Sequence, residues 1–177
     1  AAELMPSGRL PETPGELATL LTLTSTATRL QPHKKRVPSA GFVYRGRPSW
    51  VSDDLLQMLK DESERLRHTA VRFHEHLVVS GAPLAREVAV SLHLKELINT
   101  YSGPVEPTLK ANYLYYDEPG MGIEPHLDTE EFSLNAILML EHTAAKDPSA
   151  LVLFPSGSAP ERIHLAPGEM IIIFADS

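Results

Sequence analysis

Apolar residues recur at every third or fourth position over much of the first half of the chain, which predicts amphipathic helices there. The first predicted helix covers residues 16–23. A longer helix should begin after Ser52, a residue type that favours helix N-caps, because the helical apolar pattern continues from there to Leu77. A third helix is predicted from about Leu84 to Ile98.

The pattern changes after Pro107, where short β-branched, aromatic and apolar runs are separated by Gly, Pro and Asp. Runs of this kind are typical of strands, and a similar short run earlier in the chain predicts one more. The predicted strands are residues 41–45, 109–116, 132–140, 150–154, 162–165 and 169–174. Helices followed by a series of antiparallel strands predict an α+β fold, closed as a sandwich or barrel.

Length and composition allow one globular domain. The 177 residues include 42% hydrophobic and 22% charged residues, which are values of a folded chain. We expect a single domain over residues 1–177, with a helical part over 1–106 and a strand-rich part over 107–177. Because a domain seldom stops directly after an apolar strand, we expect the strand-rich part to be truncated at Ser177.

Charge and cysteine content exclude several kinds of partner and site. The formal charge is −7 at pH 7, so the chain has no general attraction for phosphate backbones, and nucleic acid is not expected as a partner. The absence of cysteine excludes disulfides, thiolate nucleophiles and iron–sulfur clusters, and it fits a reducing compartment, so we expect a cytoplasmic location. No apolar run approaches the roughly 20 residues that span a bilayer, so no membrane association is expected.

His126 and Asp128 form the pair most able to carry chemistry. They follow a Gly-rich segment after a predicted strand. On an extended backbone, residues two positions apart point to the same face, so the imidazole and the carboxylate can converge on one ion. One imidazole and one carboxylate are two of the three ligands in the facial triad that holds non-haem Fe(II). The pair alone is weak evidence, since this spacing often occurs by chance on protein surfaces.

Further motifs surround this pair in a definite order. They are a strand that ends at Tyr116 before the Gly turn, Met139-Leu140 at the end of the next strand, Phe154-Pro155, and Pro167-Gly168-Glu169 before an apolar strand. With His126 and Asp128, their order and spacing over residues 109–177 resemble the 2-oxoglutarate/Fe(II)-dependent dioxygenase superfamily, in particular its prolyl-4-hydroxylase-like branch. The preceding helical part agrees with that family only in general character.

The resemblance implies a double-stranded β-helix, or jelly-roll, core with N-terminal helices packed on it. It implies that His126 and Asp128 are catalytic residues and ligands of Fe(II), and that 2-oxoglutarate and O2 are co-substrates. The implied activity is hydroxylation of an unactivated C–H bond in a small molecule or in an amino-acid or peptidyl residue. A carboxylate at position 128 favours hydroxylation over halogenation, because halogenating relatives have Gly or Ala there.

The resemblance also implies which residues contact the co-substrate. Tyr116 stands where the family often has a tyrosine that bonds it, and Asn135, Met139 and Leu151 match pocket-lining positions. Strand alternation places Asn135 and Met139 on one face. Apolar residues such as Met139 belong to the core in any interpretation, so their pocket role depends on the resemblance alone.

Three family features are missing from the sequence, and the first two keep a second interpretation open. The third metal ligand, a distal His, and the basic residue that pairs with the co-substrate would both lie beyond Ser177. The paired Gly that the family has before Phe154-Pro155 is replaced by Ser149-Ala150. The alternative function is a non-catalytic jelly-roll binding module that has lost the complete metal triad.

Two other groups of possible ligands are weaker candidates. His74-Glu75-His76 lies on the long predicted helix, where residues two apart do not face each other, so we interpret it as solvated surface. His93 and Glu96 share one helix face, but no second copy of the pair exists to form a di-iron bundle.

Overall fold

The structure is a computed structural model that describes residues 13–19, 21–22, 41–126, 133–142, 148–154 and 159–175. The chain divides into two units, residues 1–36 and 37–177. In the first unit, residues 14–19 and 21–22 are helical and form α1, which confirms the helix predicted there. Thr13 and Glu16 cap it reciprocally, since each side chain accepts a hydrogen bond from the backbone N–H of the other, at 3.0 and 3.2 Å.

The described part of the second unit contains three helices and eight strands. The helices are α2 (Asp53–Leu66), followed by a 3-10 turn at Arg67–Thr69, α3 (Pro83–Ala89) and α4 (Leu92–Ser102). The strands are β1 (Phe42–Gly46), β2 (Val71–Phe73), β3 (His76–Ser80), β4 (Asn112–Tyr115), β5 (Leu134–Leu138), β6 (Leu151–Leu153), β7 (Glu161–Ile163) and β8 (Met170–Phe174). None of the described helices combines the length and apolar character needed to cross a membrane.

All pairings between these strands are antiparallel. One sheet has the order β1–β8–β5, a second has the order β2–β3–β4, and β6 pairs with β7. The strands predicted at 41–45 and between 109 and 174 are confirmed as β1 and β4 to β8, mostly with shorter bounds. The fold therefore mixes helices with antiparallel sheet, as the α+β prediction requires.

Strand β8 is the most deeply buried element of the unit. Ile171 and Ile172 are both 0% exposed. Their side chains alternate between two clusters: Ile171 packs with Leu153 of β6 and Ile163 of β7, whereas Ile172 packs with Leu94 of α4. Strand β8 thus separates a side covered by α4 from a side covered by the β6–β7 pair.

The β2–β3–β4 sheet has one covered face. Val79, Tyr113 and Tyr115 pack against Leu59 of α2 and Ala82 in a single buried cluster. Side chains at the alternating positions point to the opposite face, and three apolar ones among them are exposed: Val71, Phe73 and Leu114. The apolar cluster of this sheet therefore lies on its helix side.

The long helix predicted from Ser52 to about residue 80 is wrong in its second half. Helix α2 ends at Leu66, and residues 71–80 form the β2–β3 hairpin, with His74 at a φ of +51° in its turn. Strand β3 pairs with β4 over Leu77–Ser80, so backbone hydrogen bonding to a distant strand replaces the helical bonds. The helical spacing of the apolar residues was therefore outweighed by tertiary pairing.

The helix predicted from Leu84 to Ile98 is two helices, not one. Helix α3 ends at Ala89, and Ser91 accepts a hydrogen bond from the Leu94 N–H at 3.2 Å as the N-cap of α4. A serine that bonds the backbone two or three residues ahead starts a new helix more readily than it continues one. The apolar stripe is continuous across the break, which is why the pattern alone did not reveal it.

Candidate functional site

The segment that leads from β4 to His126 is attached to the β2–β3 hairpin. The Gly122 N–H donates to the Glu75 carbonyl at 3.2 Å, and the two residues form an isolated antiparallel bridge. The Met121 N–H donates to the Glu118 carbonyl at 3.1 Å and closes a turn in which Gly120 has a φ of +92°. The Gly-rich segment is thus the turn that its sequence predicted.

An ion pair holds the beginning of the same segment. The Arg67 guanidinium pairs with the Asp117 carboxylate and lies 4.7 Å from the centre of the Tyr115 ring. The hydrogen bond to Asp117 raises the pKa of Arg67 above its usual value. The segment from Tyr116 to His126 is therefore fixed both to the end of α2 and to the hairpin.

His126 is exposed, and a backbone hydrogen bond determines which of its nitrogens carries a proton. Its Nδ1 lies 2.7 Å from the Glu124 carbonyl oxygen. A carbonyl only accepts, so Nδ1 carries a hydrogen, and in the neutral tautomer of this ring the lone pair is on Nε2. Metal-ligating histidines almost always donate their other ring N–H in this way. The donor chemistry of His126 therefore fits a metal bound through Nε2.

Asp128, the predicted partner of His126, lies outside the described residues. Its convergence with His126 on one ion therefore stays a prediction. Among the residues that the structure describes, no three His, Asp or Glu side chains are grouped so as to hold a metal ion. His126 is thus the one predicted metal ligand whose surroundings the structure describes.

Tyr116 belongs to a row of three rings across the hairpin and the end of β4. Its ring stacks on His76, with centroids 5.7 Å apart and planes at 26°. Phe73, the register partner of His76, meets the same imidazole edge-on at 5.7 Å and 82°. Tyr116 remains 41% exposed, and its partial burial raises the pKa of its hydroxyl.

His76 was predicted to lie on the solvated surface, and this is wrong. The residue is only 2% exposed, and its Nδ1 is buried without a hydrogen-bond partner among the described residues. Burial, then the fields of His74 and His126, lower the pKa of His76, so the ring is neutral near pH 7. A strand assignment for His76-Leu77-Val78-Val79, which is rich in β-branched residues, could have placed this ring correctly.

Asn135, Met139 and Leu151 lie on the side of the unit that the β6–β7 pair covers. Met139 and Leu151 both pack against the cluster that contains Leu153 and Ile171. Asn135 is half-buried and pairs in register with Ile173 of β8. The structure thus brings Met139 and Leu151 to one apolar cluster, while contact of any of the three with a co-substrate stays a prediction.

Two further histidines, His142 after β5 and His164 after β7, bond to segments that flank β6 and β7. His142 Nε2 lies 2.8 Å from the Leu165 carbonyl, and the Ser149 hydroxyl lies 3.3 Å from His142 Nδ1. His164 Nδ1 lies 3.3 Å from the Ser149 carbonyl. Both ring nitrogens of His142 are therefore engaged in cross-links between neighbouring segments.

A groove of about 530 Å³ lies elsewhere, between β1 and α4, and does not include His126 or Tyr116. Trp50 and His93 line it as a parallel stack, with centroids 6.0 Å apart and planes at 16°. Glu96 lines the same groove. His93 is therefore part of an aromatic contact, and the groove is separate from the segment that carries the predicted metal ligands.

The fold is similar to that of a Pseudomonas putida prolyl-4-hydroxylase of known crystal structure. The two structures superpose with a TM-score of 0.60 over 77% of this chain and 82% of that chain, at 17% sequence identity. No family model matches the chain, and no curated protein sequence matches it. The likeness is therefore one of fold.

Proposed function

We propose that this protein is an Fe(II)- and 2-oxoglutarate-dependent oxygenase that hydroxylates an unactivated C–H bond of a small molecule or of an amino-acid or peptidyl residue. The proposal rests mainly on His126, whose Nδ1 lies 2.7 Å from the Glu124 carbonyl oxygen, the kind of contact that orients metal-ligating histidines. Support comes from the Tyr116–His126 segment, which has the family's order of residues, and from the similarity in fold to a prolyl-4-hydroxylase.

In this proposal, each side chain of the site has one role. His126 and Asp128 would hold Fe(II), which together with 2-oxoglutarate and O2 supplies the oxidising chemistry. The Glu124 carbonyl fixes the ring orientation of His126. The Tyr116 hydroxyl, which is protonated at neutral pH, donates a hydrogen bond to the co-substrate. Met139 and Leu151 provide an apolar wall that excludes water, and Asn135 adds a polar contact.

The proposed architecture is a jelly roll with helices packed on its outer face. The arrangement of β8 supports it, since one side of this strand packs on α4 and the other on the β6–β7 pair. We further propose a cytoplasmic protein that binds neither nucleic acid nor membranes.

The proposal is tested by anaerobic Fe(II) binding and by 2-oxoglutarate-dependent succinate release with the full-length protein. His126→Ala and Asp128→Ala should each abolish iron binding and succinate release. His68→Ala is a matched control, because His68 is also exposed and its Nδ1 also lies near a backbone carbonyl, that of Arg65 at 3.0 Å. This control should bind iron as the unmodified protein does.

The same measurements separate the oxygenase from the alternative function. A full-length protein that binds no iron, or that binds iron equally well after His126→Ala, would contradict the proposal. That result would favour the jelly-roll binding module, which keeps the fold without the metal triad.

A further inference from the structure

His76 is a buried polar side chain whose hydrogen-bonding capacity is not used by the described residues. It is 2% exposed, and Nδ1 has no partner among those residues. Buried polar atoms are nearly always paired, and an unpaired one lowers the stability of the fold. A phenylalanine at this position would make the same ring contacts without an unpaired nitrogen. The imidazole therefore needs an explanation other than packing.

The position of His76 in the sheet points to a ligand. Register pairing and alternation place Phe73, His76 and Tyr116 on the face of the β2–β3–β4 sheet that is opposite α2. On that face Phe73 is 58% and Leu114 45% exposed, so the described residues leave it partly open. His76 is the buried member of a face whose other members remain accessible.

His76 also lies close to both predicted parts of the site. Its ring stacks on that of Tyr116, with centroids 5.7 Å apart. The hairpin that carries His76 holds the His126 segment through the Glu75–Gly122 bridge. A molecule bound between Tyr116 and His126 would therefore be adjacent to this imidazole.

We propose that His76 contacts the co-substrate: its ring carries a hydrogen on Nδ1 and donates it to a carboxylate oxygen of the bound 2-oxo acid. The inference rests on the proposed function and adds a residue to the same site. Because Nδ1 is buried, binding requires side chains around His76 to move. The buried nitrogen then gains the partner that it otherwise lacks.

Three substitutions distinguish the contribution of the Nδ1 donor from those of the aromatic ring and of the side-chain volume. His76→Phe keeps an aromatic ring without a donor, His76→Leu keeps apolar volume without a donor, and His76→Asn places an amide N–H near the position of Nδ1. Affinity for 2-oxoglutarate is measured by calorimetry on the full-length protein loaded anaerobically with Mn(II). Mn(II) affinity without 2-oxoglutarate and the melting temperature are measured in parallel.

We expect His76→Phe and His76→Leu to weaken 2-oxoglutarate binding about tenfold or more, which corresponds to the loss of one good hydrogen bond. His76→Asn should retain most of the affinity. The melting temperature of His76→Phe should equal or exceed that of the unmodified protein, since an unpaired polar atom is removed. Loss of binding together with a gain in stability is a result that a purely structural residue would not give.

A neighbouring residue provides the control. His74→Asn changes an exposed imidazole on the same hairpin to a residue that tolerates its φ of +51°, and it should bind 2-oxoglutarate normally. If His76→Phe binds 2-oxoglutarate normally, His76 has only a packing role. If all three variants lose affinity for Mn(II), His76 is a metal ligand instead. Either result overturns the inference. If the unmodified protein binds neither Mn(II) nor 2-oxoglutarate, the proposed function fails, whatever the variants do.

Discussion

The Tyr113 hydroxyl donates a hydrogen bond to the Glu62 carboxylate across 2.8 Å, which joins β4 to α2 inside the second unit. The same carboxylate accepts hydrogen bonds from the Leu84 and Ala85 N–H groups at 2.9 and 3.1 Å. These groups belong to the first turn of α3, whose N-cap residue Ala82 has no side chain that can accept them. Glu62 thus caps a helix that is distant in sequence.

The same contacts determine the protonation states of the pair. Burial, followed by the bond to Glu62, raises the pKa of Tyr113. Burial by itself would also raise the pKa of Glu62, but the hydrogen bonds from Leu84, Tyr113 and Ala85, with the charge of Arg65, lower it below its usual value. The pair is therefore a neutral phenol that donates to an ionised, 6% exposed carboxylate.

Glu62→Gln should lower the free energy of unfolding by about 1.5–3 kcal/mol at pH 7. The hydrogen bonds to a charged carboxylate become bonds to a neutral amide, and the amide NH2 group of the glutamine faces a donor instead of accepting from it. Urea unfolding followed by circular dichroism measures the difference. Glu64→Gln, an exposed neighbour on the same helix, should change stability by less than about 0.5 kcal/mol. Equal effects of the two substitutions would contradict the role assigned to Glu62.

The contribution of Glu62 should disappear in acid. Its pKa is lower in the folded state than in the unfolded state, so the ionised form stabilises the fold above the unfolded-state pKa of about 4.3. That stability is lost as the pH falls through the lower folded-state pKa. The difference between the unmodified protein and Glu62→Gln should therefore be constant from about pH 7 to pH 5 and shrink below about pH 4. A difference that grows on acidification would reverse the assigned direction of the shift.

The Arg67–Asp117 ion pair should matter more for metal binding than for stability. Both side chains are about one third exposed, so Arg67→Met should cost only about 0.5–1 kcal/mol of stability. It releases one attachment of the segment that leads to His126, and metal affinity should fall about tenfold, as for other residues that support metal ligands. Calorimetric Mn(II) titration of the full-length protein measures this change.

Lys95→Met is the control for that substitution. It removes an exposed ion pair between Lys95 of α4 and Glu106, which follows α4, with 2.7 Å between Lys95 Nζ and Glu106 Oε1. This substitution should leave Mn(II) affinity unchanged. If Arg67→Met also leaves Mn(II) affinity unchanged, the ion pair has no part in positioning His126.

Some elements were predictable because the information for them is local. Strand β8 is a run of five apolar residues directly after the turn at Pro167-Gly168, and no polar position within it would suit a half-exposed helix. The start of α2 was equally local, since the Ser52 side chain accepts a hydrogen bond from the Leu55 N–H three residues away at 3.1 Å.

The β2–β3 hairpin could not be predicted in the same way, because its sequence fits two patterns. Ala70, Phe73 and Leu77 have helical spacing, while Val71, Val78 and Val79 favour strands. Pairing of β3 with β4, more than thirty residues away in sequence, decides between them. Local periodicity carries no information about such a partner.

In the candidate site, too, some residues can be predicted from local sequence, whereas others depend on tertiary pairing. Tyr116 and His126 belong to one sequence segment, so a motif could identify them. The contact between His76 and Tyr116 depends on β3–β4 register, and the pair of Arg67 with Asp117 joins residues fifty positions apart. Residues that support a site from other elements are thus the part that sequence motifs miss.

Gly168 should be harder to replace by alanine than Gly46, Gly81 or Gly120, which also have positive φ. Its φ is +85°, and an added Cβ would lie 3.0 Å from the Arg47 Nε. Arg47 cannot easily move, since its Nε donates to the Val51 carbonyl at 3.0 Å and its guanidinium pairs with Asp53. Gly168→Ala therefore adds steric crowding to the strain of a left-handed conformation, which by itself costs about 1–2 kcal/mol.

Gly81→Ala separates these two contributions. Gly81 has a similar φ of +76° but no atom within 4 Å of an added Cβ, so only the backbone strain applies. We expect Gly168→Ala to lower the free energy of unfolding by at least about 1 kcal/mol more than Gly81→Ala, measured by urea unfolding. Gly168→Ala combined with Arg47→Ala should recover part of that excess, because the crowded side chain is removed. Equal losses for the two single substitutions would show that Arg47 does not restrict position 168.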